Sequence, residues 1–382
     1  VSNKNEFKQF IYARGNYNTD LQTGQTRSGS EGFGIYLAPK GGYANEASLE
    51  FLKDTLSRQL RSGSFTYTLL NSRDNNNNAA LLLRSDEFEE RHDPRGGEFV
   101  NQAYMGDYSV LYPCTLFEKR EAWDAYDRGV SYCYEHPPKP ENATRDLKEI
   151  VGDTCLAERF EEVGAFISES SWRRNALISG VAFLMQEYQK PKHKRRFLVI
   201  SAESEGEVEK WVSAIHFAFP PKMAACISFT TNEEKSFWDK NNCYIDKNGF
   251  FTNQDISKPF PKYMLVGNTD NNSIGEWYKG AGHEVISSNP KRLAHFKEKA
   301  ISFEFVKTVT SFDQTHWDFL PFAQKLLASG VCEPTAELFD IHEMYADEAV
   351  RAIVLNTNLR DIGGSVKMVK KLRKYAKKRG LF

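Results

Sequence analysis

The stretch from Arg195 to Thr231, RRFLVISAESEGEVEKWVSAIHFAFPPKMAACISFTT, constrains the fold more than any other part of the chain. It reads as strand, polar turn, helix, Pro-Pro stop and strand. Phe197, Leu198, Val199 and Ile200 form a short continuous apolar run, the pattern of a buried strand. Glu203, Ser204 and Glu205 supply a cap and carboxylates at the positive end of a helix. Val208, Trp211, Val212 and Ile215 recur at helical spacing and give that helix one apolar face. Pro220 and Pro221 end it, because proline lacks the N–H and its ring excludes the preceding turn. Cys226, Ile227, Ser228 and Phe229 then resume an extended pattern. A β-α-β unit of this kind places its two strands parallel. The stretch contains no glycine-rich phosphate turn, no nucleophile elbow and no metal pair.

Other elements can be placed around it. FKQFIY (7–12) reads as a first strand and GFGIYLA (32–38) as a second, joined by a long polar, glycine-rich connection from Arg14 to Glu31. Leu49, Leu52, Leu56 and Leu60 fall on one helical face and predict a helix over 47–61. Residues 65–70 and 79–84 read as two strands of a hairpin around an asparagine run. Prolines and charges at 137–142 suggest a boundary. Residues 147–169 and 172–188 read as helices, the second with Leu177, Val181, Leu184 and Tyr188 on one face. Residues 232–261 look irregular, with turn chemistry at Asp246 to Gly249. Residues 263–266 look like a third strand of the β-α-β sheet, and 301–306 fit strand or helix equally. From Asp313 the pattern is helical, over 319–328, 335–345 and 348–356, and ends in the basic run KMVKKLRKYAKKRG. The expected architecture is mixed α/β (α+β). An N-terminal mixed sheet with helices spans 1–140, an α/β domain with the β-α-β core spans 141–310, and a helical region spans 311–382.

Composition bounds the function. A chain of 382 residues exceeds one ordinary core, so two or three domains are expected. A formal net charge of −1 provides no global field that would gather nucleic acid or an acidic membrane. The six cysteines are widely and unevenly spaced, with no C-x-x-C pair, which reads as reduced thiols and not as a zinc site. No leader and no long apolar run is evident, so a cytoplasmic protein with no membrane span is expected. The chain begins at Val1, as a fragment would.

Candidate chemistry is sparse, and no metal or cofactor is expected. The eight histidines are scattered, with no H-E-x-x-H pair. His216 falls beside the apolar face of the central helix, as a core histidine would. His92 next to Asp93 could act as a base, and Cys114 could be imagined as a nucleophile served by His92 or His136. The flanks of Cys114, Tyr-Pro and Leu-Phe, favour a core thiol. The densest polar group is Arg95, Gly96 and Gly97 followed by Asn101, Gln102, Asp107 and Tyr108. Glycines let backbone approach a ligand and arginine offers a planar donor fork, so this group reads as a recognition surface. It reads equally as a structural turn in which Arg95 and Asp107 pair, or as a small-molecule site using Asp93, Arg95 and Asp107. The basic end carries eight Lys/Arg between Lys367 and Arg379. Lys367, Lys370, Lys371, Lys374, Lys377 and Lys378 there form a solvated face, a phosphate-binding patch for nucleic acid, or a docking helix.

GFGIYLA, RGGEFVNQAYMGD and above all the Arg195–Thr231 stretch resemble the N-terminal part of GTPase-associated proteins of bacterial conflict systems. Residues 95–104, 211–221 and 228–231 correspond to that family's arginine-glycine turn, its tryptophan helix ending in Pro-Pro, and its Ser-Phe-Thr-Thr strand. The resemblance covers about residues 7–231. Where the family shows a histidine after the glycine turn, this chain has Gln102. The resemblance implies a non-catalytic adaptor or recognition module in bacterial defence, associating with a GTPase or effector, and supplies no catalytic residue.

Overall fold

The computed structural model describes residues 6–40, 52–53, 56–57, 66–71, 79–88, 98–108, 111–188, 197–219, 224–225, 227–232, 243–245, 251–253, 263–269 and 284–287. Its strands are Glu6–Thr19 (β1), Thr26–Leu37 (β2), Thr66–Asn71 (β3), Ala79–Phe88 (β4), Glu98–Asp107 (β5), Thr144–Asp146 (β6), Leu198–Ser201 (β7), Phe229–Thr230 (β8), Cys243–Ile245 (β9), Phe251–Asn253 (β10), Leu265–Asn268 (β11) and Glu284–Ser287 (β12). Its helices are Asp124–Glu135 (α1), Leu147–Ser168 (α2), Ser171–Tyr188 (α3) and Glu205–Phe217 (α4). The chain is therefore of mixed α/β class, as its sequence predicts.

The β-α-β unit forms around a sequence-encoded helix. Ser204 caps α4 by accepting from the Glu207 N–H at 3.2 Å, and the Glu207 carboxylate accepts from the Glu203 N–H at 3.3 Å. Val208, Trp211, Val212 and Ile215 are all buried. Such side chains each contribute about 1.5–3 kcal/mol on leaving water. Strands β7 and β8 run parallel, but they are not neighbours. The strand expected at 263–266, observed as β11, inserts between them and pairs in parallel with both. Helix α4 crosses directly over β11. A Cβ at Gly267 would stand 2.3 Å from Val208 Cγ1 and 2.3 Å from the Thr231 carbonyl oxygen, so only glycine fits there.

The sheet has ten strands along the path β12-β7-β11-β8-β3-β4-β5-β1-β2, with β6 also on β1. Its first four strands are parallel and the rest antiparallel, the change falling where β3 meets β8. The sheet crosses residue 140, where the sequence suggests a boundary. Thr144–Asp146 pairs with Glu6–Lys8, and Phe229 and Thr230 pair with Leu69 and Thr68. One hydrophobic cluster includes Phe7 and Tyr104 on one side of that boundary and Leu177, Trp211 and Leu265 on the other. Helices α2, α3 and α4 meet there, with Trp211 of α4 against Phe166 of α2 and Trp172 of α3 at centroid distances of 5.4 and 5.8 Å. Helix α2 is broken after its first turn at Gly152, whose φ of 67° is left-handed.

The connection expected from Arg14 to Glu31 is instead the two arms of the β1–β2 hairpin, turning only at Asp20–Gln25. Its polar composition belongs to the partly solvated face of a ribbon. The Thr19 hydroxyl donates to the Tyr36 carbonyl at 2.8 Å, and Asp20 accepts from the Gln22 and Thr23 N–H groups. Within the stretch expected to be irregular, β9 and β10 pair as a separate antiparallel two-stranded sheet. Of the helix expected over 47–61, Leu52 and Leu56 are described and lie buried in one cluster with Phe10, Leu81 and Ala103. The segment 301–306 and the helices expected after Asp313 fall outside the described residues.

Candidate functional site

The polar group read between Arg95 and Tyr108 is, for the most part, a strand. β5 lies between β4 and β1, and its alternation sends Asn101 and Gln102 to opposite faces, both interior. Asn101 is fully buried and donates through Nδ2 to the Leu56 carbonyl at 2.7 Å. Gln102 binds β5 to the start of α1. Its Nε2 donates to Ala122 O and Tyr104 Oη, both at 2.8 Å, and its Oε1 accepts from the Ala125 N–H at 3.0 Å. Tyr108 is fully buried, packs edge-on to Phe7 at 4.8 Å and donates to the Tyr104 carbonyl. Burial pushes its phenol pKa upward.

Asp107 is half-buried at the far end of β5, opposite Ala79. Glu98 and Asp107 are separated by nine strand steps, about 30 Å at the usual rise. Of the residues read as a recognition surface, Asn101 and Tyr108 face inward, and Asp107 stands at the opposite end of β5 from Glu98. Arg95, Gly96 and Gly97 themselves, His92, Asp93 and the lysines from Lys367 to Lys378 lie outside the described residues.

At the Glu98 end of β5 the structure supplies a feature that the sequence does not advertise. Tyr12, Phe33 and Phe99, on β1, β2 and β5, stack in one shelf, with Phe33–Phe99 centroids 4.9 Å apart and Tyr12 about 6 Å from each. The Arg14 guanidinium lies 5.9 Å over Phe33. Phe33 is 41% exposed, the one exposed large hydrophobic among the described residues. β2 carries it on the last strand of the sheet.

A second feature lies beneath α4. Glu209 is 1% exposed, and neither of its carboxyl oxygens has a hydrogen-bond partner among the described residues. Arg159 Nη2, also unpartnered, stands 4.0 Å from Oε2. The rest of Arg159 is engaged, through Nη1 to Glu162 at 2.7 Å and through Nε to Ser213 Oγ at 3.4 Å. Arg84 is likewise engaged, with Asp86 at 2.8 Å and the Tyr67 hydroxyl at 3.3 Å. Burial drives the Glu209 pKa up to about 8, and the Glu118 and Glu205 carboxylates push it the same way against Arg159 and Arg84. Burial raises the Asp86 pKa too, with Arg84 opposing. Glu118 has a left-handed backbone, φ 61°, and its N–H donates to Tyr67 Oη at 3.0 Å. Glu205 accepts from Asn232 Nδ2 at 2.8 Å.

No protein-family model, no curated protein and no solved structure matches this chain.

With its pKa raised to about 8, the Glu209 carboxyl can hold a proton near neutral pH. Two hints of it were present in sequence. Glu209 borders the apolar face of α4, three residues from Val212, and Arg84 and Asp86 are two apart on one strand face. The nucleophile and base candidates go elsewhere. Cys114 is fully buried and burial pushes its thiol pKa up to about 12, which keeps it protonated. His216 is fully buried against Phe229, and burial lowers its pKa to about 3, so its ring is neutral. His136 is exposed and stacks on Tyr132 at 4.3 Å. Among the described residues no group of three or more His, Cys, Asp or Glu is placed to hold a metal ion. No helix among them is long and apolar enough to cross a membrane.

Proposed function

We propose that the chain is a non-catalytic adaptor or recognition module of a bacterial conflict or defence system, working in the cytoplasm with a GTPase or effector partner. The observation that carries the adaptor reading is the Tyr12–Phe33–Phe99 shelf, with Arg14 over Phe33, which reaches the outermost strand through Phe33. Aromatic and arginine side chains of this kind anchor protein interfaces, because they bury large rigid areas for little lost rotamer freedom. Motif resemblance over residues 7–231 is what supports the conflict-system setting and the identity of the partner. The polar residues singled out in β5 support a scaffold role, since Asn101, Gln102 and Tyr108 hold the sheet and α1 together.

The test is capture of partners from the native host by tagged wild-type chain and by Phe33→Ala and Arg14→Ala variants, at low and high salt and with nuclease. The reading expects a salt-resistant GTPase or effector that both variants lose. Recovery of nucleic acid alone, lost with salt or nuclease, would replace it with the nucleic-acid reading of the basic run. Eight Lys/Arg within Lys367–Arg379 favour that alternative. Turnover of nucleotide by the isolated chain, abolished by one substitution, would refute both.

A further inference from the structure

We propose that Arg159 is a proton-gated clasp between α2 and α4: while the Glu209 carboxyl is protonated Glu162 holds the guanidinium, and when that carboxyl ionises the free Nη2 closes onto Glu209 and draws the two helices together. Two carboxylates compete here for one guanidinium. Glu162, on α2 with Arg159, accepts from Nη1 at 2.7 Å, and Lys210 of α4 stands 3.3 Å from its other oxygen. Glu209, on α4, faces Nη2 at 4.0 Å. Among the described residues neither Nη2 nor either Glu209 oxygen has a hydrogen-bond partner. The gap exceeds a charge-assisted hydrogen bond by about 1 Å. The two side chains are only 8% and 1% exposed, so water does not stand in for the missing bond. Nε is already aimed at Ser213 Oγ at 3.4 Å, one turn along α4 from Glu209, which keeps the guanidinium at the interface.

The two carboxyls are held in opposite states. Burial works to raise Glu162, yet the Arg159 and Lys210 cations keep it below its ordinary pKa. Burial lifts Glu209 to about 8, with the Glu118 and Glu205 carboxylates pushing the same way and Arg159 and Arg84 opposing. Arg84 is forked onto Asp86 and so is not a second partner. Tyr67 and Cys114, the other titratable groups of the surrounding core, are kept neutral by burial. When Glu209 gives its proton to solvent, Arg159 is the cation placed to meet it, and the pair they form is neutral. Helix α2 can follow, because it is broken at Gly152 and its continuation carries Arg159, Glu162 and Phe166 together. Phe166 packs edge-on to Trp211 at 5.4 Å, and Trp211 is two residues after Glu209 on α4. The indole therefore senses the distance that the clasp sets. The device lies in these helices and not in the aromatic shelf, so it goes beyond the adaptor reading and fails or stands separately from it.

The experiment follows the full chain from pH 5 to pH 10 by difference infrared spectroscopy and tryptophan emission. A protonated-carboxyl band should disappear around pH 8, with an emission change at the same midpoint, and both should be absent from Glu209→Gln. Glu162 is 41% exposed, so Glu162→Gln tests the competition without touching the core. It should lower the midpoint by about one pH unit or more, because Arg159 is then free to serve Glu209. Glu161→Gln, which removes the exposed carboxylate next to it on α2, should leave the midpoint in place. A Glu209 carboxyl already ionised at pH 5, a midpoint that Glu162→Gln moves no more than Glu161→Gln does, or a proton lost with no change in emission would each overturn the proposal.

Discussion

Replacing Glu209 with glutamine should change how stability depends on pH. In the unfolded chain this carboxyl ionises near its ordinary value of 4.5, and in the folded chain near 8. Between those values the folded state holds a proton that the unfolded state has released, so stability falls as pH rises. The stabilising effect is complete below 4.5 and is lost as pH passes through about 8. Each pH unit between the two is worth about 1.4 kcal/mol, which sets a ceiling of about 5 kcal/mol. Arg159 Nη2, 4.0 Å away, can turn toward the ionised carboxylate and recover part of that cost, leaving about 2–3 kcal/mol. Glutamine has the same shape and no proton to lose. The measurement is urea unfolding of both chains at pH 5, 7 and 9 at constant ionic strength. The variant should gain on wild type by about 2–3 kcal/mol across that range. Parallel stabilities from pH 5 to pH 9 would refute the account, because they would mean that Glu209 titrates alike in both states.

Three further substitutions probe the frame. Gly267→Ala forces a methyl to within 2.3 Å of Val208 and the Thr231 carbonyl, and should cost about 2 kcal/mol or more by pushing α4 off β11, read as a lowered urea midpoint. Arg84→Met leaves the buried Asp86 carboxylate without its 2.8 Å partner and should cost about 3–5 kcal/mol, while adding Asp86→Asn should recover most of the loss in the same unfolding assay. Phe33→Ala removes a half-exposed ring from its stack on Phe99; it should cost less than about 1 kcal/mol in stability while partner capture is lost.

Legibility in the sequence followed the range of the interaction. The capping of α4, its apolar face and the buried run Phe197–Ile200 are set within a few residues, and all three could be read directly. The β3–β4 hairpin and helices α2 and α3 were legible for the same reason. The β1–β2 hairpin was not, because polar side chains on the wet face of a ribbon look like those of a loop. β5 was misread similarly: its Asn101 and Gln102 suggest a surface, yet each is satisfied by a backbone or side chain far off in sequence.

Local periodicity and chain-crossover geometry suffice to set the mixed α/β class, the β-α-β unit and the parallel sense of its strands. Long-range pairing alone puts β11 between β7 and β8, joins the parallel and antiparallel halves through β3, and draws strands from both sides of residue 140 into one sheet. Tertiary packing alone, too, brings Phe33 against Tyr12 and Phe99 and buries Glu209 beside Arg159. A side chain's type is written in the sequence, but its charge at neutral pH depends on which distant strands and helices exclude water from it.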